Sequence, residues 1–137
     1  MELGKLSLFK ILGARMSYLS ERQKVLSENI ANADSLGKAP GEDPYQRKVS
    51  IFRNILDRDL GMDKVQISKI DIDRSDFPKR FEPGHPAANA DGYVLTPNVN
   101  PLVEMMDMRE AQRSYEANMN VISTSRQMVA KTLELLK

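Results

Sequence analysis

Two stretches at opposite ends of the chain repeat apolar residues at alternating three- and four-residue intervals, and this period constrains the fold more than any other feature. The first line runs through Phe9, Leu12, Met16, Leu19, Gln23, Leu26, Ile30 and Ala33; the second through Met105, Met108, Gln112, Tyr115, Met119, Ile122, Arg126, Val129, Leu133 and Leu136. A mean spacing of about 3.5 residues is that of an α-helix packing one seam against another helix. At about 1.5 Å per residue the seams are roughly 37 and 48 Å long, so the sequence predicts an elongated, mainly α chain whose two terminal helices pack as a coiled-coil-like hairpin.

Local signals bound these helices. Asn100 can accept hydrogen bonds from the first free amides of the second helix, and Pro101 suits the first helical position, where no donor is lost. Gly37 and Pro40 are the expected stop of the first. Each helix also carries a second apolar line, Ile11, Tyr18 and Val25 on one and Val121, Met128 and Leu135 on the other. These lie about 100° round from the nearer seam line, so a single partner helix leaves part of each helix bare. The expectation is that other chains cover it. Five of the eight methionines fall in the second helix, where flexible thioethers adapt to neighbours of varied shape.

Between the helices the composition changes. "VSIF", "KVQISKIDID" and "DGYVL" have the β-branched and aromatic content of short strands, separated by Pro-, Gly- and Asp-rich turns. In the second of these the apolar phase slips between Val65/Ile67 and Ile70/Ile72, which calls for a bulge or for cover on both faces. The predicted organisation is an N-terminal axial helix over 1–35, an irregular loop and small β insert over 36–97, and a C-terminal axial helix over 98–137.

Charge and composition narrow the function. Twenty Lys and Arg against nineteen Asp and Glu give a net charge of +1, so no single-sign field is present to hold a nucleic-acid backbone or an anionic membrane. With no cysteine, disulfides, Cys-ligated zinc and thiol nucleophiles are excluded from the sequence. Lys10 and Arg15 interrupt the N-terminal apolar stretch before a signal-peptide core builds up, and a general secretory leader is not expected.

No constellation carries chemistry. His85 is the single histidine, in the turn "EPGHPAAN", with no nucleophile motif beside it. Asp71, Asp73, Ser75 and Glu82 fall at calcium-loop spacing, but Asp76 stands where that loop needs glycine and Pro78 blocks the path into a helix, leaving a charged strand and turn. Neither catalytic residues, metal nor cofactor is expected. Gln23, Gln112 and Arg126 are read as polar seam residues that set helix register or partner choice.

"ENIANADS" at the end of the first helix, then "DPYQRK", then "FEPGHPAANADGYVLTPNVNPLVEMMDMREAQRSYEANMNVI" resemble the flagellar basal-body rod proteins, in particular the FlgC (proximal rod) family. The likeness covers most of the chain and is densest from Phe81 to Leu136. The resemblance implies a structural subunit of the bacterial flagellar rod in the periplasm, transmitting torque, exported through the flagellar type III apparatus without a cleaved signal peptide. Its implied partners are its own copies and the axial proteins FlgB, FlgF, FlgG and FliE, with no nucleic acid and no membrane insertion. Assembly is then expected to use Phe9, Leu12, Met16, Leu19, Leu26 and Ile30 on the first helix and Met105, Met108, Tyr115, Asn118, Met119, Ile122, Val129, Leu133 and Leu136 on the second. Asn29 and Asn32, at the family's Asn positions, are expected to hydrogen-bond backbone groups at a helix end or subunit contact. A FlgB-like rod subunit and a free-standing coiled-coil adaptor are the competing readings, the latter expected as a stable helical dimer in dilute solution.

Overall fold

Helix α1 (Glu2–Ala31) and helix α2 (Pro101–Leu135) flank an insert of two separate two-stranded antiparallel sheets, β1 (Lys48–Asp57) with β2 (Met62–Ile72) and β3 (Lys79–Phe81) with β4 (Tyr93–Leu95). The computed structural model describes residues 2–58 and 61–136. The chain is thus mainly helical with a small β part.

Helix α1 stops before the expected Gly37 and Pro40. The Asn32 amide side chain donates to Glu28 O at 2.9 Å, and the Ser35 hydroxyl donates to Asn32 Oδ1 at 3.0 Å. These polar side chains satisfy the helix end and turn the chain away, so the stop is an Asn-Ser turn and not a glycine cap. Gly37 serves a close approach instead: a Cβ there would lie 2.6 Å from the Glu42 carbonyl oxygen. At the other helix Asn100 Oδ1 accepts from the amides of Leu102 and Val103 at 3.1 and 3.4 Å, as its position before Pro101 requires.

The phase slip in β2 is a bulge. Ile51 pairs with Lys69 and Phe52 with Ile67, so Ser68 is the extra residue and the apolar set changes side there. Phe52 then reaches α1, where its ring meets Tyr18 edge-on at 4.4 Å between centroids. Val25, on the same seven-residue line of α1 as Tyr18, is buried. Part of the second apolar line of α1, at Tyr18, is therefore met by the chain's own β ribbon and is not left to other chains.

Buried apolar residues are concentrated on α1, at Leu12, Leu19, Val25 and Leu26, whereas Ala111 is the one buried apolar residue described on α2. The buried and half-buried residues of α2 are Glu104, Asp107, Met108, Ala111, Ser114, Tyr115, Asn118, Ile122, Ser125 and Val129. The inward line is thus shifted from the predicted seam: Ala111, Asn118 and Ser125 stand where Gln112, Met119 and Arg126 were expected. Gln112 and Arg126 face solvent, so they do not set the register between the two helices of one chain. Among the described residues, no helix is long and apolar enough to cross a membrane.

Candidate functional site

Three chain segments meet where α1 ends and α2 begins, and Asn29 joins them. Its side chain is fully buried, and its amide makes all four hydrogen bonds available to it. Nδ2 donates to Lys48 O at 2.9 Å and to Glu104 Oε2 at 3.1 Å. Oδ1 accepts from the Lys48 amide and the Tyr45 hydroxyl, each at 2.9 Å. One side chain thereby fixes the end of α1 to the strand entering the β ribbon and to the first turn of α2.

Glu104 is the second centre. It is 1 % exposed and lies in the first turn of α2, where the helix dipole favours a carboxylate. Its Oε1 accepts from Arg47 Nε, and its Oε2 from Asn29. Arg47 Nη1 also lies 3.5 Å from Asp73 Oδ2. Burial alone would draw the guanidinium pKa down, but the hydrogen bond and charge of Glu104, with Asp73, hold it above its ordinary value, so the cation persists. A buried carboxylate and its one cation are both needed, since either alone carries a large desolvation cost.

Asn98 closes the far side. Its Oδ1 accepts from the Arg47 amide at 2.8 Å, while Nδ2 donates to Asp73 O at 3.0 Å and to Ser75 Oγ at 3.1 Å. The Asp73 amide donates to Arg47 O at 2.8 Å, extending the β1–β2 ladder by one bond. Asp73 is held below the ordinary carboxylate range, first by the Ser75 amide, then by the Ser75 side chain and Arg47. At the rim Lys48 Nζ and Glu28 Oε2 pair at 2.8 Å, lowering the glutamate pKa and raising the lysine one through that hydrogen bond and charge.

The polar groups of the junction are spent on one another. What the junction does is aim two long helices from one fixed end. Of the residues named from sequence, Asn29 and Asn32 are here, the latter bonding within its own helix end. Leu12, Leu19 and Leu26 are buried, and Phe9, Met16, Ile30, Met108, Tyr115, Asn118, Ile122 and Val129 half-buried. Met105, Met119, Leu133 and Leu136 are exposed. Asn118 Nδ2 is buried without a hydrogen-bond partner among the described residues. Tyr45, Arg47, Asn98 and Glu104 were missed; their signal lay in "DPYQRK" and "PNVNPLVEM", which mark a likeness without revealing that these stretches touch.

The other candidates are structural. His85 Nδ1 accepts from the Ala87 amide at 3.0 Å within a turn. Asp71 pairs with Lys69, Glu82 with Arg80 and Asp73 with Arg47, which disperses the calcium-spaced carboxylates. Among the described residues no three His, Cys, Asp or Glu side chains are placed to share a metal ion.

Residues 90–135, which contain Glu104 and all of α2, match the family described as flagellar basal body rod FlgEFG protein C-terminal. The chain is 50% identical over 128 residues to the flagellar basal-body rod protein FlgC of Agrobacterium fabrum, covering 93% of this chain and 92% of that protein. It is 37% identical to the FlgC proteins of Salmonella typhimurium and Escherichia coli O157:H7, over 95% of this chain and 96% of each relative.

Proposed function

The chain belongs to the flagellar basal-body rod protein FlgC family and is a structural subunit of that rod, and we propose that it transmits torque there by packing its two helices against those of neighbouring subunits in a helical tube. The observation that carries this reading is the surface of α2. Met105, Met119, Val121, Met128, Leu133 and Leu135 are all exposed on it, an amount of apolar surface that a lone soluble chain does not leave open along a helix without a partner.

Rod membership places the chain with other flagellar axial components. In our reading its neighbours are its own copies and FlgB, FlgF, FlgG and FliE, joined by heterologous contacts that do not close into a ring. It reaches the periplasmic rod through the flagellar type III export apparatus without a cleaved signal peptide. It catalyses no reaction and holds no cofactor. The residues named from sequence act in assembly: those on the inner faces of α1 and α2 keep the hairpin together, and Met105, Met119, Leu133 and Leu136 meet neighbours. Fixed at the Asn29–Glu104 junction, the helix pair behaves as one stiff element under load, because their relative angle is set by buried, fully paired groups.

Deleting the gene tests this. Basal bodies purified from the deletion strain should stop before the hook, and the intact gene supplied in trans should restore hooks and swimming. Complete hooks on the deletion strain would overturn the reading.

A further inference from the structure

The chain has eight methionines and neither cysteine nor tryptophan, so thioether sulfur is its most readily oxidised group. Five of the eight lie on α2, and the fold sorts these into two kinds. Met105, Met106, Met119 and Met128 are 50, 64, 48 and 63 % exposed. Met108 lies between Glu104 and Ala111 on the side of α2 that faces α1 and is half-buried, as is Met16 on α1. One helix thus carries both open and sheltered sulfur.

A peroxide is the one co-reactant that oxidation of such a sulfur needs. A sulfur lone pair attacks a peroxide oxygen, the O–O bond breaks, and that oxygen stays on sulfur as the sulfoxide. The other oxygen leaves as water when the peroxide is hydrogen peroxide, so the thioether loses two electrons and the peroxide gains them. The product is polar and chiral where the thioether was flexible and apolar. On an exposed helix face the new oxygen stays in water and leaves the isolated fold unstrained. Under a neighbouring subunit it has to be buried without a hydrogen-bond partner, which is unfavourable. Sulfoxide reductases reverse the change.

Resting on the rod-subunit reading, in which the bare face of α2 is covered on assembly, we propose that Met105, Met119 and Met128 form an oxidation-sensitive set. Peroxide acting on the free chain converts them to sulfoxides that bar it from incorporation, and assembly shields the same sulfurs. Their placement spreads the effect. Met105 and Met119 share one heptad line, while Met128 lies on the opposite flank of the line facing α1, each flank about 80° from that line. Whatever subunit covers either flank, it then meets a polar group where the sequence supplies an apolar one. Met108, turned toward α1, keeps its thioether, so the helix pair itself survives the oxidation.

Hydrogen peroxide is the probe. On the isolated full chain, peptide mass spectrometry over time should find oxygen added at Met105, Met106, Met119 and Met128 before Met16 and Met108, with helicity by circular dichroism unchanged. In purified basal bodies Met105, Met119 and Met128 should oxidise more slowly than in the isolated chain. Equal rates at all six sites in the first case, or equal rates in rod and free chain in the second, overturn the proposal. A permanent polar stand-in tests the block itself. Met105→Gln with Met119→Gln and Met128→Gln, complementing a deletion strain, should reduce swimming at least about tenfold, since burying a polar group without a partner costs at least that factor in an equilibrium. Leucine at the same three positions, apolar and inert to peroxide, should restore swimming. No loss with glutamine, or an equal loss with leucine, overturns the proposal; if neither triple variant accumulates, Met119→Gln against Met119→Leu decides in the same way. Each of these results sinks the oxidation-sensitive set alone, whereas hooks on the uncomplemented deletion strain sink the rod-subunit reading beneath it.

Discussion

Asn29 Nδ2 donates to Glu104 Oε2 across 3.1 Å although the two residues are 75 positions apart, and this bond links the last turns of α1 to the first turn of α2. Glu104 also takes the Arg47 guanidinium, so its removal would strand a cation and a buried amide donor together. Arg47 retains 25 % side-chain exposure, which lets water recover part of the loss. Glu104→Ala should therefore destabilise the isolated chain by about 2–3 kcal/mol, below the usual cost of breaking a fully buried pair. Glu104→Gln, which keeps an acceptor for Asn29, should cost less. Urea unfolding followed by circular dichroism measures both; equal stability of all three chains would show that the junction does not hold the fold.

Stability should fall at both ends of the pH range, for identifiable reasons. Asp73 and Glu28 have folded pKa values below their ordinary ones, through the Ser75 amide and Lys48 respectively. A depressed carboxylate contributes stability above its unfolded pKa, so this part is present above about pH 4 and is lost as the pH falls further. Burial raises the Tyr45 pKa, and its neutral hydroxyl donates to Asn29 Oδ1. Its contribution is complete below about pH 10 and is lost above that as the phenolate forms. Unfolding midpoints measured across pH should be flat between these limits. Asp73→Asn should shrink the acid slope and Tyr45→Phe the alkaline one, each leaving the other unchanged.

The parts of this structure that could be read in the sequence are those with local causes. Asn100 before Pro101 announces a helix start because a cap acts within three residues, and the apolar slip around Ser68 announces a bulge because strand faces alternate every two residues. The inward line of α2 was misplaced because Asn118 and Ser125 carry no apolar signal and Ala111 only a small one, while Met105 and Met119, which carry a strong one, stay exposed. Periodicity shows that a face is apolar without saying what covers it, so the ribbon over Tyr18 was not foreseeable. The Asn29–Glu104 junction was invisible for a related reason: a buried polar bond between distant segments leaves no period at all.

Gly37 offers a test of a close approach without backbone strain. Its φ is not in the left-handed region, yet a Cβ would meet the Glu42 carbonyl oxygen at 2.6 Å and the Glu42 Cβ at 3.2 Å. The nearest obstacle is backbone and cannot swing aside as a side-chain end could. Gly37→Ala should therefore cost about 1–3 kcal/mol, as overpacking does, and should loosen the loop between Asn32 and Tyr45 first. Faster amide exchange at Glu42 and Tyr45, whose amides bond to Ala39 O and Ser35 O, would report it. Unaltered exchange would mean that the loop has room to spare.

Phe52 is the principal aromatic contact of the β ribbon with α1, through the edge of the Tyr18 ring. A two-stranded ribbon is marginal in water unless one face is packed, so order in β1 and β2 should depend on this contact more than on their own ladder. Phe52 remains 39 % exposed, which limits the loss in Phe52→Ala to about 1–2 kcal/mol rather than the full cost of a buried aromatic. The loss should be local. Amides of Asn54 and Val65 should exchange faster, while those near Asn29 and Glu104, tied by the polar junction, should keep their protection. If protection falls equally at both places, ribbon and junction form one cooperative unit, and the helix pair owes its geometry to the insert as much as to Glu104.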